Sequence, residues 1–456
     1  MKLQSTNPSK SYELIGEVET STLENVVSKV TAARLAFKTW RGMSLSERVS
    51  ILRNLVDGFN KDSERLAQIA SQEMGMPIEY ARADIASGIE YFNSYLEKAD
   101  EFFKPVLTYE TDSEIHEVYH EPYGVAAVIV PWNFPFSNFV WQAGQNLVAG
   151  NTVVFKHSEE TPLFGKALEE IIGAYLPEGV FGEIYGDGSV GKMLIEQDIN
   201  IVCFTGSSKT GAIINQSVAA RFIPTNMELG GSAPGIIFAD CDVEEIKESV
   251  FLNRFSNSGQ MCDALKRLIV HESKFDEVVS TLAELIKTKK TGDAADEGID
   301  IGPLVSKKQL ELLESQVADA VSKGGNIVVG GKRPDGLLGD FYEPTLITNI
   351  DKTMRLWQEE VFGPVLPVIS FKTEEEAIML ANDTKYGLGA YIFTRDKPLY
   401  NRVAMAVNSG MVTQNNLSYI NVNDPFGGYG YSGGAREHAA FGFSEVTQVK
   451  VIAREK

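Results

Sequence analysis

The first hundred residues carry apolar positions at the period of a helix. Stretches such as LENVVSKVTAARLAF and RVSILRNLVDGF repeat apolar residues every three or four positions, and Pro77 is the only proline between residues 22 and 103. Residues 106–121 instead alternate polar and apolar side chains, which is typical of an antiparallel ribbon. We therefore predict a helical segment, followed by a two-stranded ribbon that needs a partner.

Short apolar runs separated by helical patterns fill the rest of the chain. Between residues 124 and 231 these runs are GVAAVIV, NTVVFK, GEIYG, INIVCFTG and PTNMELGG. Runs that are apolar on both faces and alternate with helices favour a parallel sheet. After GGSAPGIIF the pattern repeats in RLIVHES, NIVVGG, GPVLPVISF and GAYIFT. The sequence therefore predicts an α/β fold with two lobes, the first of which suits a dinucleotide.

The length, charge and cysteine content of the chain limit the kinds of ligand and partner that we expect. A chain of 456 residues is too long for one compact core. Its formal charge of -20 disfavours nucleic acid or an anionic membrane as partner. The three scattered cysteines form no disulfide framework and no zinc-ligand spacing, and the chain has neither a signal-peptide pattern nor an apolar run of about 20 residues. We expect a cytoplasmic protein with a small-molecule ligand, no metal, no nucleic acid and no membrane.

Two glycine-rich junctions resemble phosphate loops. In YGDGSVGKM, Gly186, Gly188 and Gly191 match G-x-G-x-x-G, and the same stretch matches G-x-x-x-x-G-K-[ST] until Met193 replaces the hydroxyl. We interpret this stretch as a tight strand-to-helix turn rather than a nucleoside-triphosphate site. FTGSSKTG, at 204–211, is a second such junction, and backbone N–H groups at its helix start suit a phosphate.

Seven motifs then occur in a fixed order. They are PWNFPF at 131–136, FKHSEETP at 155–162, FTGSSKTG at 204–211, MELGG at 227–231, NSGQMC at 257–262, EEVFGPV at 359–365 and PFGGYGYSG at 425–433. In this order and spacing they resemble the aldehyde dehydrogenase superfamily over essentially the whole chain. EMGMPIEYARADI, the LKR after the cysteine, and a start close to Asn7 and Pro8 resemble the compact bacterial succinate-semialdehyde dehydrogenase subgroup. We accordingly expect the extra N-terminal strands of longer members to be missing.

The resemblance implies a division of the α/β chain into three parts. A Rossmann-like NAD-binding domain would comprise residues 1–105 and 122–229, and a catalytic domain residues 230–436. Residues 106–121 and 437–456 would form a small β oligomerisation ribbon and tail, because edge strands need covering. We therefore expect a homodimer or homotetramer.

The resemblance also assigns catalytic roles. Cys262 would attack the aldehyde as a thiolate and form a thiohemiacetal, a role that suits its polar, glycine-containing setting better than packing does. The Asn133 side chain and the Cys262 backbone N–H would stabilise the oxyanion. Glu228 would activate the water that hydrolyses the thioester.

The implied cofactor is NAD, with NADP as an alternative. The implied contacts are Ile129, Trp132, Lys156, Glu159, Gly188, Phe204, Gly206, Ser207, Glu360 and Phe362. Among them, a carboxylate at Glu159 would accept hydrogen bonds from ribose hydroxyls and repel a 2′-phosphate. NAD is favoured on that ground, and NADP stays open because Lys156 adjoins His157.

The substrate prediction rests on fewer residues. Arg254 and Trp141 are candidate substrate contacts, and Arg254 would clamp a carboxylate, which predicts succinate semialdehyde as substrate. A surface salt bridge is the alternative for Arg254. Gln142 and Ser232 depart from the family pattern, which often has lysine at both positions.

Three alternative functions stay open from sequence. They are oxidation of another small aldehyde such as lactaldehyde, a coenzyme A-acylating or thioesterase variant, and a catalytically silent binding protein with the same fold.

Overall fold

The computed structural model describes residues 2–456, which form seventeen strands and sixteen α-helices. The strands are β1 (Lys2–Asn7), β2 (Glu13–Glu19), β3 (Val106–Glu110), β4 (Glu114–Pro122), β5 (Val125–Ile129), β6 (Thr152–Lys156), β7 (Phe181–Glu183), β8 (Ile201–Thr205), β9 (Thr225–Glu228), β10 (Ala233–Ile237), β11 (Leu265–His271), β12 (Asn326–Val329), β13 (Thr345–Thr348), β14 (Val365–Phe371), β15 (Gly389–Phe393), β16 (Met411–Gln414) and β17 (Thr447–Glu455). The helices are α1 (Leu23–Gly42), α2 (Leu45–Lys61), α3 (Ser63–Met74), α4 (Ile78–Phe102), α5 (Pro135–Phe139), α6 (Gln145–Ala149), α7 (Pro162–Tyr175), α8 (Gly188–Ile195), α9 (Ser208–Ala219), α10 (Val243–Phe255), α11 (Phe275–Lys287), α12 (Lys307–Ser322), α13 (Arg355–Gln358), α14 (Glu374–Ala381), α15 (Lys397–Ala406) and α16 (Ala439–Glu445).

The predicted first lobe is a five-stranded parallel sheet in the order β7-β6-β5-β8-β9. Its central strands are almost completely buried, which explains their continuous apolar runs. The register sets Ile129 beside both Lys156 and Phe204, and Thr205 beside Glu228. The carboxyl ends of these strands therefore gather several predicted site residues at one edge of the sheet.

The second lobe is a seven-stranded sheet in the order β12-β13-β14-β11-β10-β15-β16. All neighbouring pairs are parallel except β12 and β13, which are antiparallel. The sequence pattern had not predicted β13 or β16. Each has only two apolar residues, in TLIT and MVTQ, whereas the equally short β12 has three in succession.

The predicted helical segment at residues 22–103 consists of α1 to α4. Two of these helices begin with a capping box, at Thr22 with Asn25 and at Ser44 with Glu47. Their apolar faces join the first sheet in one core that contains Trp40, Phe59 and Phe92. No helix within residues 2–456 has the length and apolar character needed to cross a membrane.

An antiparallel hairpin of β1 and β2 precedes the helices, and the sequence pattern did not predict it. Its buried positions include Ser5 and Asn7 instead of apolar residues, and the Ser5 hydroxyl donates to a Glu73 carboxylate oxygen at 2.5 Å. Polar burial of this kind leaves no hydrophobic alternation to detect.

The predicted ribbon is formed by β3 and β4, and its partner is β17. Strand β17 pairs with β4 along its whole length, from Thr447 opposite Pro122 to Glu455 opposite Glu114. Within the predicted tail at 437–456, α16 precedes β17.

Candidate active site

A cavity of about 690 Å³ lies between the two sheets. Its walls include eight residues that the sequence predicted: Trp132, Asn133, Trp141, Gly206, Ser207, Cys262, Glu360 and Phe362. The remaining predicted residues are not part of its walls: Ile129, Lys156, Glu159, Gly188, Phe204, Glu228 and Arg254. The structure thus brings the predicted nucleophile and oxyanion donor to one enclosed space.

The loop that carries Cys262 has a constrained backbone. Asn257, Ser258 and Gly259 all adopt positive φ, at 50°, 56° and 73°. A Cβ at Gly259 would lie 2.5 Å from the Gly363 carbonyl oxygen, so only glycine fits. The Asn257 amide donates to the Asn133 carbonyl oxygen at 2.8 Å. Strain of this kind persists only where the surroundings impose it, which is common at functional sites.

Gln260 anchors the same loop to a neighbouring segment. Its side-chain oxygen accepts from the Val305 N–H at 3.0 Å, and its amide nitrogen lies 3.2 Å from the Asn257 carbonyl oxygen. In the sequence, Gln260 is only one of the polar residues near the cysteine. Its contact with Val305 joins residues far apart in sequence, and no local pattern could indicate it.

Burial raises the pKa of the Cys262 thiol well above its ordinary value, and the adjacent Asp263 carboxylate adds to this effect. The Lys266 ammonium acts in the opposite direction. It donates to the Cys262 carbonyl oxygen at 2.9 Å and to the Gly231 carbonyl oxygen at 2.9 Å. The resting thiol is therefore protonated at neutral pH, and its proton must leave as the nucleophile attacks.

The side chain of Asn133 is held in a defined orientation. Its Nδ2 donates to the Gln260 carbonyl oxygen at 3.0 Å, and its Oδ1 accepts from the Asn138 amide at 3.3 Å. An amide nitrogen carries two protons, so one remains for a group in the cavity. Asn133 is therefore a fixed donor on the same wall as the cysteine loop.

Glu228 lies at the end of β9, with its carboxylate buried beneath the cavity wall. Neither carboxylate oxygen has a hydrogen-bond partner within residues 2–456. Burial, together with the nearby Glu437 carboxylate, raises the pKa of Glu228 well above its usual range. A Cβ at Gly427 would lie 2.9 Å from Glu228 Oε1, so the carboxylate faces Gly427.

A π-helical turn at Val140–Gly144 joins α5 to α6 and carries Trp141 and Gln142. The Gln142 amide donates to Thr205 Oγ1 at 2.8 Å. Insertions of this kind in a helix recur at functional sites. The sequence indicated neither the turn nor the contact, because both depend on packing against β8.

Comparison with known proteins identifies the chain. The family model described as Aldehyde dehydrogenase family matches residues 1–452. This chain belongs to the aldehyde dehydrogenase family. It is 36% identical over 465 residues to peroxisomal aminoaldehyde dehydrogenase 1 of Pisum sativum, over 99% of this chain and 92% of the pea protein. The resemblance inferred from the seven motifs is confirmed.

Solved structures of other aldehyde dehydrogenases have the same fold. The succinate-semialdehyde dehydrogenase from Burkholderia pseudomallei superposes with a TM-score of 0.96 at 32% identity, over 100% of this chain and 94% of that one. Betaine aldehyde dehydrogenase from Staphylococcus aureus, solved in complex with NAD+, gives a TM-score of 0.95 at 34% identity, over 99% and 91%. The α/β fold class predicted from the sequence is confirmed.

Other predicted cofactor residues of this aldehyde dehydrogenase lie at the same edge of the first sheet, and Ser207 among them also lines the cavity. Lys156 is buried at the end of β6, with Nζ 3.0 Å from the His157 carbonyl oxygen and 3.9 Å from Glu159 Oε2. Ser207 caps α9, because its hydroxyl accepts from the Thr210 N–H at 3.3 Å. Gly188, the first residue of α8, lies on an open surface, since a Cβ there would meet nothing within 4 Å.

Glu360 and Lys266 form a buried ion pair in the second lobe. The Lys266 ammonium lies 2.5 Å from Glu360 Oε1, and the Gly231 N–H donates to the same oxygen at 3.0 Å. Lys266 also lies over the Phe362 ring, 5.1 Å from its centroid. The pair thereby fixes two predicted nicotinamide contacts relative to the cysteine loop.

Arg254 does not act as the predicted clamp for a substrate carboxylate. Its side chain is fully buried beneath the loop at 361–365, away from the cavity. It donates to the carbonyl oxygens of Val361, Gly363 and Val365, the last at 2.9 Å. This corrects both earlier interpretations, because a surface salt bridge is equally incompatible with full burial. Arg254 supports the loop of this aldehyde dehydrogenase that carries Glu360 and Phe362.

Proposed function

We propose that the protein oxidises an aldehyde to its carboxylic acid through a covalent intermediate on Cys262, with NAD or NADP as hydride acceptor. The observation that carries this proposal is the presence of Cys262 and the oriented Asn133 amide on one cavity. A nucleophile next to a prearranged hydrogen-bond donor is the arrangement that carbonyl addition requires.

The first step is attack of the Cys262 sulfur on the aldehyde carbon. A C–S bond forms as the carbonyl π bond breaks, and negative charge develops on the oxygen. Asn133 Nδ2 would donate to that oxygen, together with the backbone N–H of Cys262. Loss of one such donor typically costs a factor of about 100 to 1,000 in rate, because the transition state carries more charge than the ground state.

Oxidation of the resulting thiohemiacetal requires a hydride acceptor, which is the chemistry that the dinucleotide supplies when bound. The residues present fit such a group. The first turn of α9, capped by Ser207, suits a pyrophosphate, and Gly206 admits a close backbone approach, since a Cβ there would lie 2.6 Å from the Phe204 ring. Lys156, Glu159, Ile129 and Gly188 would border the adenosine half. Trp132, Glu360 and Phe362 would border the nicotinamide half.

Hydrolysis of the thioester requires an activated water, and Glu228 is the proposed base. Its raised pKa brings the carboxylate closer to the range in which a general base works efficiently at neutral pH. To act on that water, the carboxylate must turn from the Gly427 side toward the cavity.

The subgroup resemblance predicts succinate semialdehyde as the substrate, and this remains a prediction. Its residue-level support, the Arg254 clamp, is removed by the burial of that side chain. Trp141, the other candidate substrate contact, does line the cavity. An assay with aldehydes of several charges is therefore required to identify the substrate class.

We also propose that the chain self-associates through its three-stranded sheet, as a homodimer or homotetramer. Apolar side chains stand exposed on both edge strands of that sheet, including Val106 and Leu107 on β3 and Val449 and Val451 on β17. Exposed apolar edge strands normally pair with another chain or are covered. Cytoplasmic location likewise remains a prediction.

The activity test is the appearance of NADH and NADPH with a panel of aldehydes. We expect aldehyde-dependent reduction with equimolar acid product, its loss in Cys262→Ala, and no requirement for coenzyme A. In Glu228→Gln we expect a burst of about one equivalent of NADH followed by slow turnover, because acyl transfer to water is impaired. If no aldehyde in the panel supports reduction of either dinucleotide, the proposal is wrong.

A further inference from the structure

All the charged residues on the cavity wall are acidic. Its charged residues are Asp84, Asp263, Glu359 and Glu360, and neither lysine nor arginine lines it. The wall therefore holds no cation that would pair with a carboxylate on the substrate. The question is which of the four acids remains free to interact with a ligand.

Three of the four acidic residues already have partners. Asp84 accepts from the backbone N–H groups of Phe136 and Ser137, both at 3.3 Å, and so caps the start of α5. Glu359 forms a bidentate ion pair with Arg355, with N···O distances of 2.8 and 2.9 Å. Glu360 pairs with Lys266. Glu359 and Glu360 are thus each paired with a cation, and Asp84 is held by two N–H groups at a helix start.

Asp263 is different, because within residues 2–456 it has neither a lysine or arginine partner, as the two glutamates have, nor the N–H groups of a helix start, as Asp84 has. Its Oδ2 lies 3.2 Å from the Tyr419 hydroxyl, which in turn lies 2.8 Å from the Tyr391 hydroxyl. Lys266 is close in sequence, but its ammonium is committed to Glu360 and to two carbonyl oxygens. Asp263 therefore places an unpaired carboxylate on the cavity wall, directly after the nucleophile in the chain.

Aromatic rings surround the same part of the cavity. Trp141 and Phe426 pack together with ring centroids 5.2 Å apart, and both belong to the apolar cluster that contacts Cys262 and Tyr419. Aromatic faces attract cations, most strongly where water is excluded. An alkylammonium group would meet ring faces and a carboxylate here, whereas a substrate carboxylate would meet the repulsion of Asp263 without a compensating cation.

We propose that Asp263 makes this enzyme selective for aldehydes that carry a positively charged amino or ammonium group, and against aldehydes that carry a carboxylate. This inference rests on the proposed oxidation at Cys262 and specifies its substrate class. Burial raises the pKa of Asp263, and a cation bound beside it would lower that pKa again and restore the charge.

The test compares three aldehydes in the intact enzyme: 4-(trimethylammonio)butanal, its uncharged isostere 5,5-dimethylhexanal, and succinate semialdehyde. We expect kcat/KM to be at least about tenfold higher for the cation than for the isostere, and lowest for the acid. In Asp263→Asn, which keeps the size and an acceptor for Tyr419, the cation's advantage should fall by about tenfold. The ratio of cation to isostere is the readout, because removal of the Asp263 charge also acts on the Cys262 thiol and so affects the rate with every aldehyde.

Glu359→Gln is the matched control, because it removes a cavity carboxylate whose charge Arg355 already compensates. We expect it to change the ratio of cation to isostere by less than about threefold. Inhibition of the wild type adds a measurement that needs no variant. Butyltrimethylammonium should compete with the aldehyde at a concentration about tenfold lower than pentanoate.

The outcomes separate this inference from the proposal on which it depends. Equal rates for the cation and the isostere, or a preference for succinate semialdehyde, would overturn the charge selectivity and leave the dehydrogenase function intact. An unchanged preference for the cation in Asp263→Asn would overturn the role of Asp263. Failure of all three aldehydes and of wider panels would overturn both proposals.

Discussion

The Lys266 ammonium lies 2.5 Å from Glu360 Oε1, and it also holds the Cys262 carbonyl oxygen. One buried cation thus connects the nucleophile loop with a predicted cofactor contact. A buried pair is costly to break, because the remaining charge loses its compensation. This relationship makes the position of the thiol dependent on a residue that does not itself line the cavity.

We expect Lys266→Met to lower the free energy of unfolding by about 3 kcal/mol and to raise the KM for NAD, since Glu360 would lose its partner. Urea denaturation and initial-rate kinetics measure the two effects. Lys247→Met is the control, because Lys247 makes a similarly short pair with Glu244 on the surface and should cost less than about 1 kcal/mol. Equal losses in the two variants would contradict the assigned role of Lys266.

Gly259→Ala should lower kcat/KM by at least about tenfold and destabilise the fold by about 2 kcal/mol. Alanine is unfavourable at a φ of 73°, and its Cβ would press on the Gly363 carbonyl oxygen. Gly173→Ala is the comparison, because Gly173 lies within α7 and a Cβ there meets nothing within 4 Å. That variant should be as stable as the wild type or slightly more stable.

The pH dependence of acid release should follow the ionisation of Glu228. Only the deprotonated carboxylate can act as base, so the rate should rise as pH increases through its raised pKa. Glu437→Gln removes a like charge next to Glu228, which lowers that pKa and moves the rise toward lower pH. Rates of acid release measured from pH 5 to 10 test this shift. A rise that moved to higher pH, or did not move, would contradict the coupling.

Arg254→Lys should destabilise the protein by about 2 kcal/mol, because lysine cannot satisfy the three carbonyl oxygens that the guanidinium holds. Any loss of kcat/KM should be the same for acidic and neutral aldehydes. Thermal or urea denaturation, with kcat/KM for succinate semialdehyde and butanal, provides the measurement. A selective loss for the acidic aldehyde would restore the clamp interpretation.

Self-association through β17 predicts that a charge at its centre will separate the subunits. Val451 is 63% exposed in the single chain, and we expect Val451→Asp to lower the mass measured by light scattering. Leu338→Asp is the control, because Leu338 is 77% exposed and lies outside the three-stranded sheet. A monomeric wild type would exclude the proposed assembly.

Prediction from the sequence was most accurate for the elements and residues that have one strong signal in the sequence. Buried parallel strands such as VVF in β6 are apolar on both faces, and helices such as α2 carry both a period and a cap. The motif order was sufficient to find Cys262 and Asn133, because their spacing is preserved as a pattern along the chain. The family and the fold class could therefore be predicted without coordinates.

Contacts between distant parts of the chain could not be predicted in the same way. Arg254 has the residue type of a carboxylate clamp, and only the path of the 361–365 loop shows that its Nε and Nη2 already donate to carbonyl oxygens. In the sequence, Asp263 is only a polar residue next to the cysteine. Its significance depends on the partners of the other three acids, and two of those contacts, Asp84 with the start of α5 and Glu360 with Lys266, join residues far apart in the chain.

The pairing of β17 with β4 also has a consequence for synthesis. His120 and Thr447, which are in contact across this pair, are 327 positions apart in the chain. On the ribosome, β3 and β4 therefore emerge long before the strand that completes their sheet. Throughout that interval the inner edge of β4 is open to any other nascent or misfolded chain. Correct assembly of this protein thus depends on β17 being translated before the open edge of β4 pairs with another chain.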